Sequence, residues 1–336
     1  MPEISVIIVN WNGKQFLDDC LCALRRQTFR DFETILVDNG SEDGSVEYAR
    51  RHFPEVRLLA LDSNLGFTGG NIAGYELATG RLIALLNNDT EAHPKWLESL
   101  YCGSLEYVDA ASFASKMMYF DNRKQIENCG FELGRAGTTL EIGRDQTDGP
   151  TWMQPRRVFG ACGGAAAYRR TMLDDIGFLD PDFFMIYEDV DLSFRAQLSG
   201  YDCVYLPQAI VYHRYRSTLC RVPATQVFYA QRNIEFVYLK NIPASLMVRS
   251  VPWRIAYELG AAAYFTRHGA GFELVRAKID FLRKLPTLLA KRKAIQQAKT
   301  RSNGEMRALL RDSMFLPKWK KVFAQKSSLA DRLQGA

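Results

Sequence analysis

Short, mostly apolar runs recur through the first third of the chain, at Ile4 to Val9, Thr34 to Val37, Val56 to Leu61 and Leu82 to Leu86. Between them, Lys14 to Arg26, Gly44 to Phe53 and Gly70 to Ala78 carry helical periodicity. Strand-length runs alternating with amphipathic helices predict βαβ units, and right-handed crossovers then give a mostly parallel α/β sheet. Leu82 to Leu86 is apolar at every position, which suits a strand covered on both faces. It runs straight into Asn87-Asn88-Asp89-Thr90, so a carboxylate is delivered to the strand's carboxyl end, where parallel sheets bind ligands. After a helix over Trp96 to Tyr107 the alternation weakens. Ser112 to Pro155 is rich in Gly, Asp, Asn and Thr and predicts an antiparallel excursion whose loops shape a cleft. Leu192 to Leu198 reads as a helix, Val204 to Pro207 and Ile210 to His213 as strand. From about Gln226 the pattern is helical to the end, which divides the chain into residues 1–240 and a helical region, 241–336.

Charge sharpens that division. Residues 1–236 hold 23 Lys and Arg against 32 Asp and Glu, whereas 237–336 hold 20 against 6, so the net +5 hides an acidic body and a basic tail. Such a split predicts an anionic partner for the tail: nucleic acid, a phospholipid surface or a phosphorylated carrier. The seven cysteines are scattered without paired spacing, so neither a disulfide framework nor a zinc knuckle is expected, and a reducing cytosol is the expected compartment. Ile4 to Val9 follows Glu3 and stops at Asn10, unlike a signal peptide. Leu246 to Phe265 is broken by Arg249, Arg254 and Glu258, short of the ~20 apolar residues a membrane span needs.

The candidate chemistry lies where strands end. The first strand ends in Val9-Asn10-Trp11-Asn12-Gly13 and the second in Val37-Asp38-Asn39-Gly40-Ser41, which on adjacent parallel strands form an edge suited to a nucleotide. Taken alone, Asp38 to Ser41 is a turn signal. Neither a phosphate-binding Walker loop nor the dinucleotide glycine fingerprint is present. Asn64-Leu65-Gly66-Phe67-Thr68-Gly69-Gly70-Asn71 precedes a helix and reads either as a flexible loop or as a close backbone approach to a ligand. Tyr187-Glu188-Asp189-Val190-Asp191 places three acids in four residues at the start of a helix. The helix dipole favours acids there, and their mutual repulsion raises their pKa values, which suits a general base. His213 ends a strand downstream of them.

Six segments, in this order, resemble glycosyltransferase family 2: Val9-Asn10-Trp11-Asn12, Val37 to Ser41, Gly66 to Asn71, Leu86-Asn87-Asn88-Asp89-Thr90, Gly160-Ala161-Cys162-Gly163-Gly164, and Glu188 to Arg195. The resemblance covers roughly residues 3 to 240. It implies the A-type glycosyltransferase fold, inverting chemistry, and similarity to rhamnosyltransferase-type enzymes of O-antigen, capsule or cell-wall polysaccharide. By the same resemblance Asp89 is the acid that reaches a divalent cation, Mn2+ or Mg2+, with His213 completing the metal site and Asn87 standing in place of the motif's first acid, a change that many relatives share. Asp189 falls on the catalytic base and Asp38 on the residue that reads the nucleobase. Val9, Asn10, Asn12, Asn64, Gly66, Asn71, Asn87 and Asn88 would line the nucleotide-sugar donor. Gly163, Gly164, Tyr187 and Glu188 would face the acceptor, a glycan or a polyprenyl-linked sugar.

The tail adds a location. Arg283, Lys284, Lys291, Arg292, Lys293, Lys299 and Arg301 occur without an acid between them, interleaved with Leu285, Leu288, Leu289 and Ile295; Lys318, Lys320 and Lys321 follow, among Phe315, Trp319 and Phe323. They form either a solvated basic face or helices lying on an anionic bilayer. Since relatives act on lipid-linked sugars, the expectation is a cytoplasmic enzyme, peripheral on the inner membrane face. Nucleic acid is not expected, because the basic and aromatic alternation of a strand-binding groove is missing. A non-catalytic binding module of the same fold would have no need of a base at Asp189. A nucleotidyltransferase would require a glycine-rich basic loop after the first strand, and a membrane scaffold would leave the α/β motifs unexplained.

Overall fold

The computed structural model describes residues 1–214 and 223–312. Its first half is the expected alternation: β1 (Ile4–Asn10), α1 (Lys14–Arg25), β2 (Phe32–Asp38), α2 (Ser45–His52), β3 (Arg57–Ala60), α3 (Gly66–Leu77) and β4 (Leu82–Leu86). β1 pairs in parallel with β2 on one side and β4 on the other, so the chain reverses its direction of winding between them. A crevice forms outside the carboxyl ends at such a point. Every residue of β4 is buried, and α1 lays Leu17, Cys20, Leu21 and Leu24 on the sheet at helical spacing.

The middle of the chain enlarges this sheet. β5 (Thr90–Ala92) and α4 (Trp96–Glu106) lead into β6 (Ala110–Tyr119), nine of whose ten residues are buried. The expected excursion therefore starts later than Ser112, since the stretch up to Tyr119 is a central strand whose small residues allow covering on both faces. The excursion proper is β7 (Ile126–Asn128), β8 (Phe131–Gly134) and β9 (Thr139–Glu141), followed by β10 (Arg156–Val158), β11 (Ala165–Arg169) and α5 (Arg170–Ile176). After α6 (Glu188–Leu198), β12 (Asp202–His213) fuses the two expected strand pieces across a register shift between Leu206 and Ile210, where Pro207 is tolerated. The main sheet has ten strands, in order β10-β12-β6-β11-β4-β1-β2-β3 with β5 and β7 attached. It is parallel over β3-β2-β1-β4 and mixed beyond, because β11 runs antiparallel to both β4 and β6.

The helical region comprises α7 (Pro223–Asn241), α8 (Ala244–Arg267), α9 (Gly271–Ala298) and α10 (Asn303–Leu309), closed by β13 (Leu310–Arg311) against β8. The expected boundary at 240 falls inside the last turn of α7. Part of the tail's positive charge is answered by the body. Lys240 pairs with Asp180 and Asp191, Lys284 with Asp182, Lys291 with Asp180 and Asp182, and Arg301 with Asp202. Among the apolar residues interleaved with those cations, Leu288 is buried and Leu289 exposed. Lys318, Lys320, Lys321, Phe315, Trp319 and Phe323 lie outside the described residues.

Candidate active site

The strand ends converge as their register requires. Asn10 closes β1 opposite Asp38 of β2. Its buried side chain donates to Asp38 Oδ2 at 3.0 Å and accepts from Asn88 Nδ2 at 2.7 Å, linking the ends of β1, β2 and β4. Asp38 also accepts from the Ser41 N–H, and Asn12, at φ +49°, accepts from the Glu42 N–H. Asp38 and Asn10 thus hold the loops that frame the crevice, with Asp38 only 2% exposed.

α3 starts four residues earlier than the periodicity indicates, so Gly66 to Gly70 are its first turns and not a free loop. Close packing explains the glycines: a Cβ on Gly70 would meet Val9 Cγ1 of the sheet at 2.7 Å, and one on Gly66, at φ +75°, would run into the Phe184 carbonyl oxygen of the loop before α6. The helix-start N–H groups are already engaged, Gly66 with Asn64 Oδ1 and Thr68 with the Phe184 carbonyl. Asn71 donates to the Phe67 carbonyl and is buried. Asn64 and Asn71 therefore support the crevice wall from behind, and Val9 lies beneath α3.

A second group forms past β4. Asp89 Oδ1 stands 3.2 Å from His213 Nε2, because β12 ends against β5 with His213 opposite Thr90. The other ring nitrogen, Nδ1, lies 2.7 Å from Oε2 of Glu127 on β7, and Asn87 Nδ2 is 3.4 Å from Nε2. Glu127 and His213 are both more than nine-tenths buried. Burial alone would lower the imidazole pKa, but hydrogen bonds and charge from Asp89 and Glu127 outweigh it and push His213 up to about 10. A carboxylate behind the ring nitrogen that faces away from a cation is the usual support of a metal-ligating histidine. Glu127 carries no motif, and only the fold of β7 onto β6 reveals its role.

The third group separates the acid cluster. Ile186 (φ +66°) and Tyr187 (φ +74°) turn the chain sharply into α6. Asp189 then points back to the β11 side, accepting from the Gly163 N–H at 2.8 Å and from the Val190 N–H at 2.8 Å. Burial raises its pKa against these two hydrogen bonds. Glu188 is buried, its Oε2 lacks a hydrogen-bond partner among the described residues, and burial beside Asp189 pushes it up to about 8. Asp191 faces the opposite way, fully buried, against Arg195 at 3.0 Å, Lys240 at 2.8 Å and Asn241 at 2.8 Å. One of the three acids faces the cleft, one is an unpaired neighbour, and one is a structural anchor.

Two glycines join the second and third groups. A Cβ on Gly163 would lie 3.3 Å from Asp189 Cβ, and one on Gly164 would lie 3.1 Å from Asn87 Nδ2, while the Gly164 carbonyl accepts from the Asn87 N–H. A carboxylate at the start of α6 and the Asp89–His213 pair therefore flank a single backbone step. Asn233 of α7, fully buried, completes the frame by donating to the carbonyls of Met185 and Ile186. It too carries no sequence signal.

A mixed sheet with a crevice outside its parallel strand ends, a buried Asp89–His213 pair and a backbone-oriented carboxylate is the architecture of the A-type glycosyltransferase fold. Residues 5–177 match the profile described as Glycosyl transferase family 2, just over half of the chain, which belongs to that family and is a glycosyltransferase. An N-acetylglucosaminyl-diphospho-decaprenol L-rhamnosyltransferase of Mycobacterium tuberculosis is 26% identical over 264 residues, spanning 71% of this chain and 84% of that protein. Glycosyltransferase AglE of Haloferax volcanii is 34% identical over 103 residues, 29% of this chain and 34% of that one. Two solved structures share the fold. S. aureus TarS 1-349 has a TM-score of 0.54 at 16% identity over 88% of this chain and 86% of that one. GalNAc-T7 with UDP, GalNAc and Mn2+ has a TM-score of 0.54 at 18% identity over 65% of this chain and 44% of that one.

Proposed function

We propose that this enzyme transfers a sugar, with inversion, from a nucleotide diphosphate donor to a hydroxyl of a glycan or polyprenyl-linked acceptor. Rhamnose is the favoured sugar, by likeness to the mycobacterial relative. The observation that carries the reading is the Gly163-Gly164 step, which sets Asp189 against one glycine and Asn87, beside Asp89 and His213, against the next. The donor occupies the crevice framed by Asn10, Asn12, Asp38 and Asn88. Asp89 and His213 fit a divalent cation, Mn2+ or Mg2+, because an oxygen and an imidazole nitrogen converge there, as when substrate phosphates supply the remaining ligands. When bound, such an ion neutralises charge on the donor diphosphate.

Asp189 takes the proton from the acceptor hydroxyl as that oxygen bonds to the anomeric carbon. The bond to the diphosphate oxygen breaks, and its electron pair leaves with the nucleotide diphosphate. The Gly163 and Val190 N–H groups fix the carboxylate's orientation, and burial keeps it basic enough to accept the proton. Glu188, Tyr187 and the two glycines form the acceptor side. The enzyme works in the cytoplasm, peripheral on the inner face of the cell membrane. A panel of nucleotide diphosphates, with and without Mn2+, tested for thermal stabilisation identifies the donor class. NMR of the product then reads the anomeric configuration; retention would overturn the single-displacement reading.

A further inference from the structure

We infer that α8 and α9 dock the enzyme on an anionic lipid surface through apolar faces that the fold leaves uncovered. The chain has 16 exposed large hydrophobic side chains among its described residues, and 10 of them lie on these two helices. On α8 they include Val248, Val251, Ile255 and Leu259, spaced by three and four residues and so on one face. On α9, Phe272, Val275, Ile279, Leu282 and Leu289 recur at three, four and seven. Exposure reaches 73% at Val248 and 70% at Phe272. The opposite faces carry the packing: Leu246, Ser250, Arg254 and Ala261 on α8, and Leu274, Ala277 and Leu288 on α9.

Charge selects the partner. Arg249, Arg267, Arg276, Arg283 and Lys293 are exposed on the same helices, and none is in an ion pair among the described residues. The helices' three acids, Glu258, Glu273 and Asp280, are all less than fully exposed, and Glu258 and Asp280 are occupied by Arg254, Lys278 and Arg232. An apolar stripe flanked by free cations, without an exposed acid, matches a bilayer interface bearing anionic headgroups. No described helix is long and apolar enough to cross a membrane, so these helices would lie on it. The stripe also begins beside the loop that leads through Phe184 to Tyr187 and Glu188, the proposed acceptor side. The Arg276 guanidinium sits over the Phe228 and Phe272 rings, Phe228 contacts Tyr229, and Tyr229 stacks on Phe184, whose carbonyl caps α3. This surface deepens the proposed transfer only in bringing a lipid-linked acceptor to that end, and vesicle binding can be measured without any donor.

The test is co-sedimentation of the full chain with phosphatidylcholine vesicles, with and without phosphatidylglycerol. A variant carrying Leu259→Asp and Ile279→Asp, one change on each exposed face, should lose at least roughly tenfold in vesicle binding, since each side chain would otherwise bury most of its apolar area. Nucleotide diphosphate binding by this variant should equal that of the parent, which verifies the fold. A second variant, Arg276→Gln with Arg283→Gln, should weaken binding severalfold on anionic vesicles and leave the neutral baseline unchanged. The inference is overturned if the parent ignores both vesicle types, if both variants bind like the parent, or if the parent sediments in solution as a dimer that Leu259→Asp and Ile279→Asp dissociate.

Discussion

Asn233 donates its side-chain amide to the carbonyl oxygen of Ile186 at 2.6 Å, tying α7 to a residue whose φ is +66°. A β-branched residue in that region is strained, and Tyr187 follows it there. Each such residue costs about 1–3 kcal/mol and persists only where its surroundings insist on it. The left-handed pair leads the chain into α6, where Asp189 accepts from the Gly163 N–H, so α7 braces the loop that carries the proposed base.

Replacing Asn233 with Ala should therefore lower kcat by ten- to a hundredfold, an order-of-magnitude expectation for a misplaced catalytic group, and leave donor affinity nearly unchanged. The two freed carbonyls would cost about 1–3 kcal/mol of stability. Steady-state kinetics, calorimetric titration with nucleotide diphosphate and a urea melt separate these effects; equal losses in donor affinity and kcat would mean general unfolding of the site.

Asp189→Asn should abolish transfer while nucleotide diphosphate still binds, because a base contributes in the transition state and little to ground-state affinity. Retained turnover would move the base to Glu188, whose raised pKa already suits proton exchange near neutrality.

Chelation should remove activity. Asp89→Ala should weaken nucleotide diphosphate binding only in the presence of Mn2+, and Glu127→Gln should lower Mn2+ affinity about 10–100-fold by loosening the hold on His213. Mn2+ titration followed by electron paramagnetic resonance reads this without turnover, and an unchanged affinity in both variants would exclude this corner as the cation site.

Acid should loosen the helical region from the body. Burial would raise Asp180, Asp182 and Asp191, but Lys240, Lys284, Lys291 and Arg195 outweigh it and hold all three below the ordinary carboxylate range. Depressed folded pKa values give stability that is complete above the unfolded value, about pH 4, and lost progressively as pH falls from there through the lower folded values. Thermal melts between neutral and acid pH should steepen there. Asp191→Asn should flatten that dependence and cost about 3 kcal/mol at neutral pH, since it removes one partner of a buried pair.

The sheet was legible wherever apolar periodicity is local. β1, β2, β4 and α1 follow from their own residues, and the polar clusters ending at Asn10, Asp38 and Asp89 mark one edge because parallel strands end together. The sequence misleads where one residue type serves two purposes. Gly66 to Gly70 read as a flexible loop or a close approach to a ligand, yet they are the first turns of α3, where Gly70 lies against Val9 of β1 and Gly66 against Phe184. The basic tail read as one face towards an anionic partner, yet its cations divide: Lys240, Lys284 and Lys291 pair with aspartates far upstream, while Arg276 and Arg283 stay exposed. Glu127 and Asn233 were invisible for the same reason. Each acts through a partner more than forty residues away, His213 at a separation of 86 and Ile186 at 47, and pairing at that range leaves no local pattern.

The ion-paired cluster of Asp180, Asp191, Lys240 and Lys291, buried except at Lys291, also says where this enzyme could be recombined with a relative. The family match ends at 177, and the loop carrying Asp189 begins just beyond it, ionically bound to α7 and α9. A chimaera joined at 241 would keep Lys240 with Asp180 and Asp191 but part Asp180 and Asp182 from Lys291 and Lys284. One joined near 178 would carry base loop and helices together, and with them His213 away from Asp89 and Asp189 away from Gly163, so both contacts must be matched across the joint.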